Sequence, residues 1–236
     1  MNLALLDHES MKDSEKTPCD FFKNEDAINK AKELGLPDLN LVRQAIVVGD
    51  SDYKTNTNYN RARFIARWGK IGEQLALLLR NHDSNWVFHN QAQPRIENIA
   101  KKVQIIFMSG NDAIGIADQV ISANCKKGLM TEKNIKENQS HYADESKLRT
   151  WILYFPSTSH IAYKSSDIPS IPFEISYPTS FVPNEKSKKH SIFPSDHTCR
   201  LAFEIDNTRP IKADIEPVLE PSDEIKPDDF DIQLVV

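Results

Sequence analysis

His190, Asp196, His197 and Cys199 form the densest group of metal-ligating side-chain types in this chain of 236 residues. Zinc takes three or four such ligands converging tetrahedrally, and a zinc held that way activates water, the chemistry of a metal-dependent hydrolase. The spacing fits no zinc motif, however. Cys199 alternates with Leu201 and Phe203 along an apparent strand, so its thiol is expected on a buried face, with the histidines at the surface. Asp50, Ser51 and Asp52 follow Gly49 and offer oxygens to a hard cation, which needs several converging at once. Only two carboxylates are local, and Asp and Ser readily bond their own backbone, so Gly49 to Asp52 reads as a polar turn. His82 and Asp83 pair an imidazole with a carboxylate, but side chains of adjacent residues diverge and no nucleophile accompanies them.

Phosphate chemistry has three candidate sources. Ser109-Gly110-Asn111-Asp112 lies between a candidate strand and a candidate helix, the outline of a turn whose free N–H groups meet an anion. It lacks the three-glycine fingerprint and the Gly-Lys-Ser/Thr ending, and Asp112 would repel a phosphate, so an ordinary capped helix is expected. Arg63, Arg67 and Lys70 repeat at helical spacing with Gln74 and form a basic strip. A second basic stretch, Asn184 to His190, carries Lys186, Lys188 and Lys189. A nucleic acid or acidic partner would meet these cations; their plainer reading is a solvated edge paired with local carboxylates and an exposed hairpin tip. No Gly-rich phosphate loop, nucleophile elbow or H-E-x-x-H motif occurs, and no cofactor is expected.

The element expected to organise the rest is a helix over 59–80. Phe64, Trp68, Ile71, Leu75 and Leu78 recur at spacings of four and three and gather into one core-facing stripe. Ala62, Ile65, Gly69, Gly72 and Ala76 make a second stripe. Glycine costs about 1 kcal/mol relative to alanine inside a helix, which predicts close packing on this side as well. Before this helix, Asn24–Leu34 reads as a helix capped by Asn24 and stopped by Gly35. A short helix follows over 38–42, and Ala45–Val48 is either the end of that helix or a strand. After it come a short strand at 86–88, a helix from Pro94 towards Val103, a strand at 103–108, a helix at 113–125 and another from Thr131 to Glu137.

At residue 149 the texture changes. Ten of 13 prolines lie beyond residue 150, and Trp151–Phe155, His160–Tyr163, Phe173–Tyr177 and Arg200–Ile205 are short β-branched and aromatic segments between turns. The chain therefore reads as α+β, a mainly helical part over 1–148 and a β-rich antiparallel sheet or small sandwich over 149–236. Its last residues alternate Phe230, Ile232 and Leu234 with polar neighbours, a strand expected to join this chain's sheet or a partner's edge.

Charge is unevenly spread. Residues 1–58 carry 11 acids against 7 bases, residues 59–150 carry 9 against 14, and residues 200–236 carry 10 against 4. A basic middle allows nucleic-acid contact and equally allows the acidic ends to fold over it. Three widely spaced cysteines without a C-x-x-C pair suit a reducing, cytoplasmic setting without structural disulfides. No run of 18 apolar residues exists and the first residues lack the cationic start of a signal peptide, so no membrane contact is expected. The expected function is a non-catalytic interaction or adaptor subunit that meets another protein or itself. Nucleic-acid binding is the alternative, and a metal-dependent hydrolase the third.

Overall fold

Val103–Gly110 is buried at all but one position, and its side chains alternate between two cores. Val103, Ile105 and Phe107 join one apolar cluster, while Ile106 and Met108 join another. Such a strand must lie inside a sheet covered on both faces. The computed structural model, which describes residues 19–55, 60–90, 93–125, 127–141, 144–156, 172–183 and 192–203, shows this arrangement.

In chain order the elements are β1 (Asp20–Lys23), α1 (Asn24–Glu33), α2 (Leu39–Thr55), α3 (Asn60–His82), β2 (Trp86–His89), β3 (Arg95–Asn98) and β4 (Val103–Gly110). Then follow α4 (Leu129–His141), β5 (Arg149–Pro156), β6 (Phe173–Pro178), β7 (Phe181–Pro183), β8 (Ile192–Pro194) and β9 (His197–Phe203). Seven strands form one mixed sheet in the order β1-β9-β6-β5-β4-β3-β2, and β7 pairs with β8 in a separate ribbon. The fold is α+β. The sheet runs unbroken across residue 149, because β4 pairs in parallel with β5 from Val103↔Arg149 to Gly110↔Pro156.

Helices α1, α2 and α3 supply the core of one face, the helical face. On α3 the expected stripe is buried at Ile71, Leu75 and Leu78, while half-buried Trp68 packs against it and donates its indole N–H to the Phe107 carbonyl at 2.9 Å. The side chains of Ala62 and Phe64 lie outside the described ones. The second stripe is corrected in part: Ile65 is 56 % exposed, and a Cβ added at Gly69 would meet nothing within 4 Å. Only its far end is tightly packed, where a Cβ on Gly72 would stand 3.1 Å from the Phe107 ring.

The glycine that does bring two helices together is Gly49. Neither a strand at 45–48 nor a turn at 49–52 exists; both stretches belong to α2, whose buried Val42, Ala45, Ile46 and Asp50 keep helical spacing. A Cβ on Gly49 would collide with the Ile71 side chain and stand 3.0 Å from the Arg67 carbonyl oxygen, so α2 and α3 cross backbone to backbone there. A polar turn signature was overridden by this packing.

Two other expected helices are also absent from the described residues. Pro94–Val103 is the β3 strand and a turn, with Ile96 and Asn98 buried at period two and Lys102 at φ 53° closing the hairpin onto β4. Residues 113–125 run irregularly, with Gly115 at φ +77° breaking any helical course. This stretch, here called the strap (residues 111–125), lays Ala113, Ile114, Ile121 and Ala123 onto the opposite face of the sheet. At α1, Lys23 and not Asn24 is the N-cap; Asn24 sits at φ 52°, a conformation that asparagine tolerates. Gly35 at φ +90° ends the helix as expected. Segment His160–Tyr163 lies outside the described residues.

The contrast between two helical glycines is testable. Gly69→Ala should raise unfolding free energy by about 0.5–1 kcal/mol, since alanine gains propensity in open space. Gly49→Ala should lower it by about 1–3 kcal/mol through overpacking. Urea denaturation followed by circular dichroism measures both.

Candidate functional site

Polar side chains line the strap face of the sheet where a plain core would be apolar. Tyr154 stands opposite Glu174, and Ser176 stands opposite Arg200. Between Tyr177 and Pro178 the register shifts, so that Pro178 faces His197 while Tyr177 faces Cys199, leaving Thr198 as the extra residue of a bulge. A bulge re-aims the side chains beyond it. It brings His197 to the face that carries Ser176 and Arg200, three residues away, whereas a regular strand would send it to the other side.

The five polar groups make two closed networks. Arg200 donates through Nε to Glu174 Oε1 at 2.6 Å and through Nη2 to Glu174 Oε2 at 2.9 Å. Its remaining N–H groups reach the strap: Nη1 to the Ala117 and Gln119 carbonyls at 3.3 and 2.8 Å, and Nη2 to the Ala113 carbonyl at 3.3 Å. A guanidinium has five N–H donors, and here each has an acceptor. Glu174 is equally complete, for Ser176 donates to Oε1 at 2.5 Å and the Gly115 N–H to Oε2 at 3.0 Å. The Phe21 ring lies 5.0 Å from the Arg200 guanidinium.

In the second network the Tyr154 hydroxyl and His197 Nε2 are 3.0 Å apart. Buried beside the Arg200 cation the imidazole is neutral, and which of it and the tyrosine donates follows the tautomer. Burial, reinforced by the Arg200 charge, lowers the His197 pKa to about 3. Burial also pushes the Tyr154 hydroxyl well above its ordinary range. With all five side chains buried, the cluster wires the strap to the sheet, and no face of it is open to a substrate.

The metal-ligand group does not converge. His197 lies on the strap face and is buried, contrary to the expected surface histidine; Asp196 is exposed; and Cys199 faces the helical core, where burial pushes its thiol up to about 12. His190 lies outside the described residues. Among the described residues no group of three His, Cys, Asp or Glu is placed to hold a metal ion. Asp83 spends its carboxylate on Asn85 and Asn98 as a turn acceptor beside β2.

The basic strip is corrected as well. Arg67 is 1 % exposed, donates to Asp50 Oδ1 at 2.5 Å and to the Pro156 carbonyl at 3.1 Å, and lies over the Phe155 ring. Asp50, expected in a turn, is thus a buried helix residue that holds α3. Arg63 is half-buried and gives two N–H groups to the Tyr53 carbonyl, and Lys70 pairs with Glu73 at 3.1 Å. Lys186, Lys188 and Lys189 lie outside the described residues, as do Phe230, Ile232 and Leu234.

Glu174, Arg200 and Tyr154 were not singled out from sequence. The signal was present in Phe173-Glu174-Ile175-Ser176-Tyr177, a strand pattern with a carboxylate at a position that a doubly covered sheet must bury. Its partner could not be read, because 26 residues separate the two. No protein-family model, curated protein or solved structure matches this chain.

Removing one member of a buried pair strands the other charge, so Arg200→Met should cost about 3–5 kcal/mol and raise amide exchange across 113–119. His197 gives a second expectation. Its pKa falls from 6.5 unfolded to about 3 folded, so the unfolded chain binds the proton more readily. Its contribution is complete above pH 6.5 and declines as pH falls towards 3, by on the order of 5 kcal/mol at most. His197→Gln should flatten the stability–pH profile in this window, read by urea melts at pH 7, 5.5 and 4.5.

Proposed function

We propose that this chain is a non-catalytic interaction subunit that associates with a second copy of itself through the layer covering the strap face. The distribution of exposed apolar side chains carries this reading. Of the ten exposed large hydrophobic residues among those described, five lie on this layer: Ile116 and Val120 on the strap, Leu129 and Met130 at the start of α4, and Val182 on β7. Leu129 is 66 % exposed and Val120 63 %. Contiguous exposed apolar groups mark interaction sites more often than scattered single ones do.

The layer is one connected body. Ser122 donates to the Pro194 carbonyl, Lys127 and Ile192 exchange both backbone hydrogen bonds, and the Lys136 ammonium lies over the Phe181 ring at 5.7 Å. A shallow open depression on the surface of α4 is lined by Leu129, Met130, Lys133 and Ser140. Its cations are balanced locally, Lys136 by Glu132 at 2.6 Å and Lys133 by Glu137 at 3.7 Å, which leaves a neutral rim around apolar anchors. The buried pair Asp50–Arg67 serves the fold and takes Arg67 out of the basic strip on α3. Among the described residues no helix is long and apolar enough to cross a membrane.

Light scattering tests this at low and high salt, with absorbance at 260 nm on the same peak. The expected result is a mass above the 26.9 kDa of one chain that persists in high salt and carries no nucleic acid. Leu129→Asp with Met130→Asp should weaken association by about 30-fold or more, as for loss of an anchor worth about 2 kcal/mol. A monomer at every concentration overturns the reading, and one that carries nucleic acid released by salt replaces it with the phosphate-binding alternative.

A further inference from the structure

β2 closes one end of the seven-stranded sheet, and its outer side is unpaired among the described residues. The Ile99 N–H donates to the Asn85 carbonyl at 3.1 Å, one step beyond the Trp86↔Asn98 pair. Hydrogen-bonded pairs recur at every second residue of an antiparallel ladder. Val87 and His89 therefore turn their backbone groups towards β3, and Trp86 and Phe88 turn theirs outward. The Trp86 N–H is taken by the Asp83 carbonyl at 3.1 Å. Facing outward are the Trp86 carbonyl and both backbone groups of Phe88.

An open edge is a template for another strand unless charge, proline or a bulge blunts it. At the opposite end of the sheet, β1 carries exposed Asp20 and Lys23 at its two tips. β2 has neither proline nor bulge, and its one ionisable side chain, His89, lies 3.3 Å from Glu97 on β3. Phe88, at the middle of the outward groups, is 37 % exposed. Two more exposed apolar residues lie on neighbouring elements: Leu77 on α3, which packs against β2, and Ile99, opposite Asn85.

The strand that fits this edge is β2 itself. A second copy related by a two-fold axis through Phe88, normal to the sheet, runs antiparallel and sets Phe88 against Phe88, Val87 against His89 and Trp86 against Asn90. Phe88 then exchanges both backbone bonds with its counterpart, and each Trp86 carbonyl receives the Asn90 N–H of the other copy. Every outward group of Trp86 and Phe88 is used. An axis through Val87 would instead call on the Trp86 N–H, which Asp83 already holds. Charge agrees with the Phe88 register, because His89 meets Val87 and no charge opposes a like one. Side-chain parity agrees as well: Trp86 belongs to the helical-face core, and this axis carries the helical face of one sheet on into the helical face of the other.

We infer that β2 pairs with β2 of a second copy about Phe88 and joins two seven-stranded sheets edge to edge. This contact uses a surface separate from the α4 layer, and either contact can fail without the other. Light scattering and amide hydrogen exchange by mass spectrometry on the full chain test it, in the wild type and in the Leu129→Asp, Met130→Asp background that weakens the α4 contact. Expected in that background is a dimer, with exchange at 86–90 slowing by about ten-fold or more as concentration rises. Phe88→Lys and Phe88→Asp, each added singly, should give monomers because each sets like charges face to face. An equal mixture of the two should associate about ten-fold more tightly than either alone. Unchanged exchange at 103–108 reports an intact fold in every variant. A background variant that stays monomeric overturns the inference and leaves the α4 reading standing where the wild type associates. Protection at 86–90 that does not depend on concentration also overturns it, since the chain would then cover its own edge. So does a dimer that survives both Phe88 variants, or a mixture no tighter than its components. Complete loss of wild-type association on Phe88→Lys alone counts against the α4 contact instead.

Discussion

The buried ion pair of Glu174 and Arg200 is the constraint on which one side of the molecule depends. Taking two charges out of water costs several kcal/mol each, and the cost is offset only where every remaining donor and acceptor finds a partner. Here the partners come from outside the sheet: three strap carbonyls, one strap N–H and the Ser176 hydroxyl. The strap therefore takes an irregular course, because its carbonyls must point inward at the guanidinium and cannot close a helix. Gly115 at positive φ lets the chain turn its N–H back onto Glu174 in the same stretch. Charge burial and loop conformation are one problem with one solution.

A second buried pair, Asp50 with Arg67, does corresponding work on the helical face. Gly49 lets α2 and α3 approach backbone to backbone, and the pair one residue along fixes how they register against the end of β5 through the Pro156 carbonyl. Both faces of the sheet thus follow one plan, an apolar layer pinned by an arginine that reaches a carboxylate and neighbouring carbonyls. Strong charges used in this way are withdrawn from the surface. Among the described residues, five of the exposed large apolar groups lie on the strap, α4 and β7.

The same withdrawal explains why chemical motifs in the sequence misdirect. Arg63, Arg67 and Lys70 have the spacing of a surface strip, yet helical phase alone says only that they share a side of α3. Whether that side meets water was decided by α2, whose close approach at Gly49 covers Arg67. His197 and Cys199 are two residues apart and, in a regular strand, would share a face. One extra residue at Thr198 sends them to opposite cores, which no local pattern announces.

By itself the sequence determined what depends on neighbours along the chain: the α+β class, the helices α1 and α3, the core positions Ile71, Leu75 and Leu78 of α3, the stop at Gly35, and the strands β2, β4, β5 and β6. Periodicity and turn residues act over a few positions, so these are legible without a partner. Tertiary structure decided what depends on distant neighbours. Ala45–Val48 became helix because α3 offered a groove for Gly49, Ile96 became strand because β4 offered an edge, and residues 113–125 gave up helix for the carbonyl bonds to Arg200. In each case local propensity is worth a few tenths to about one kcal/mol per residue, and a long-range contact or a charge left unpaired in the core outweighs it.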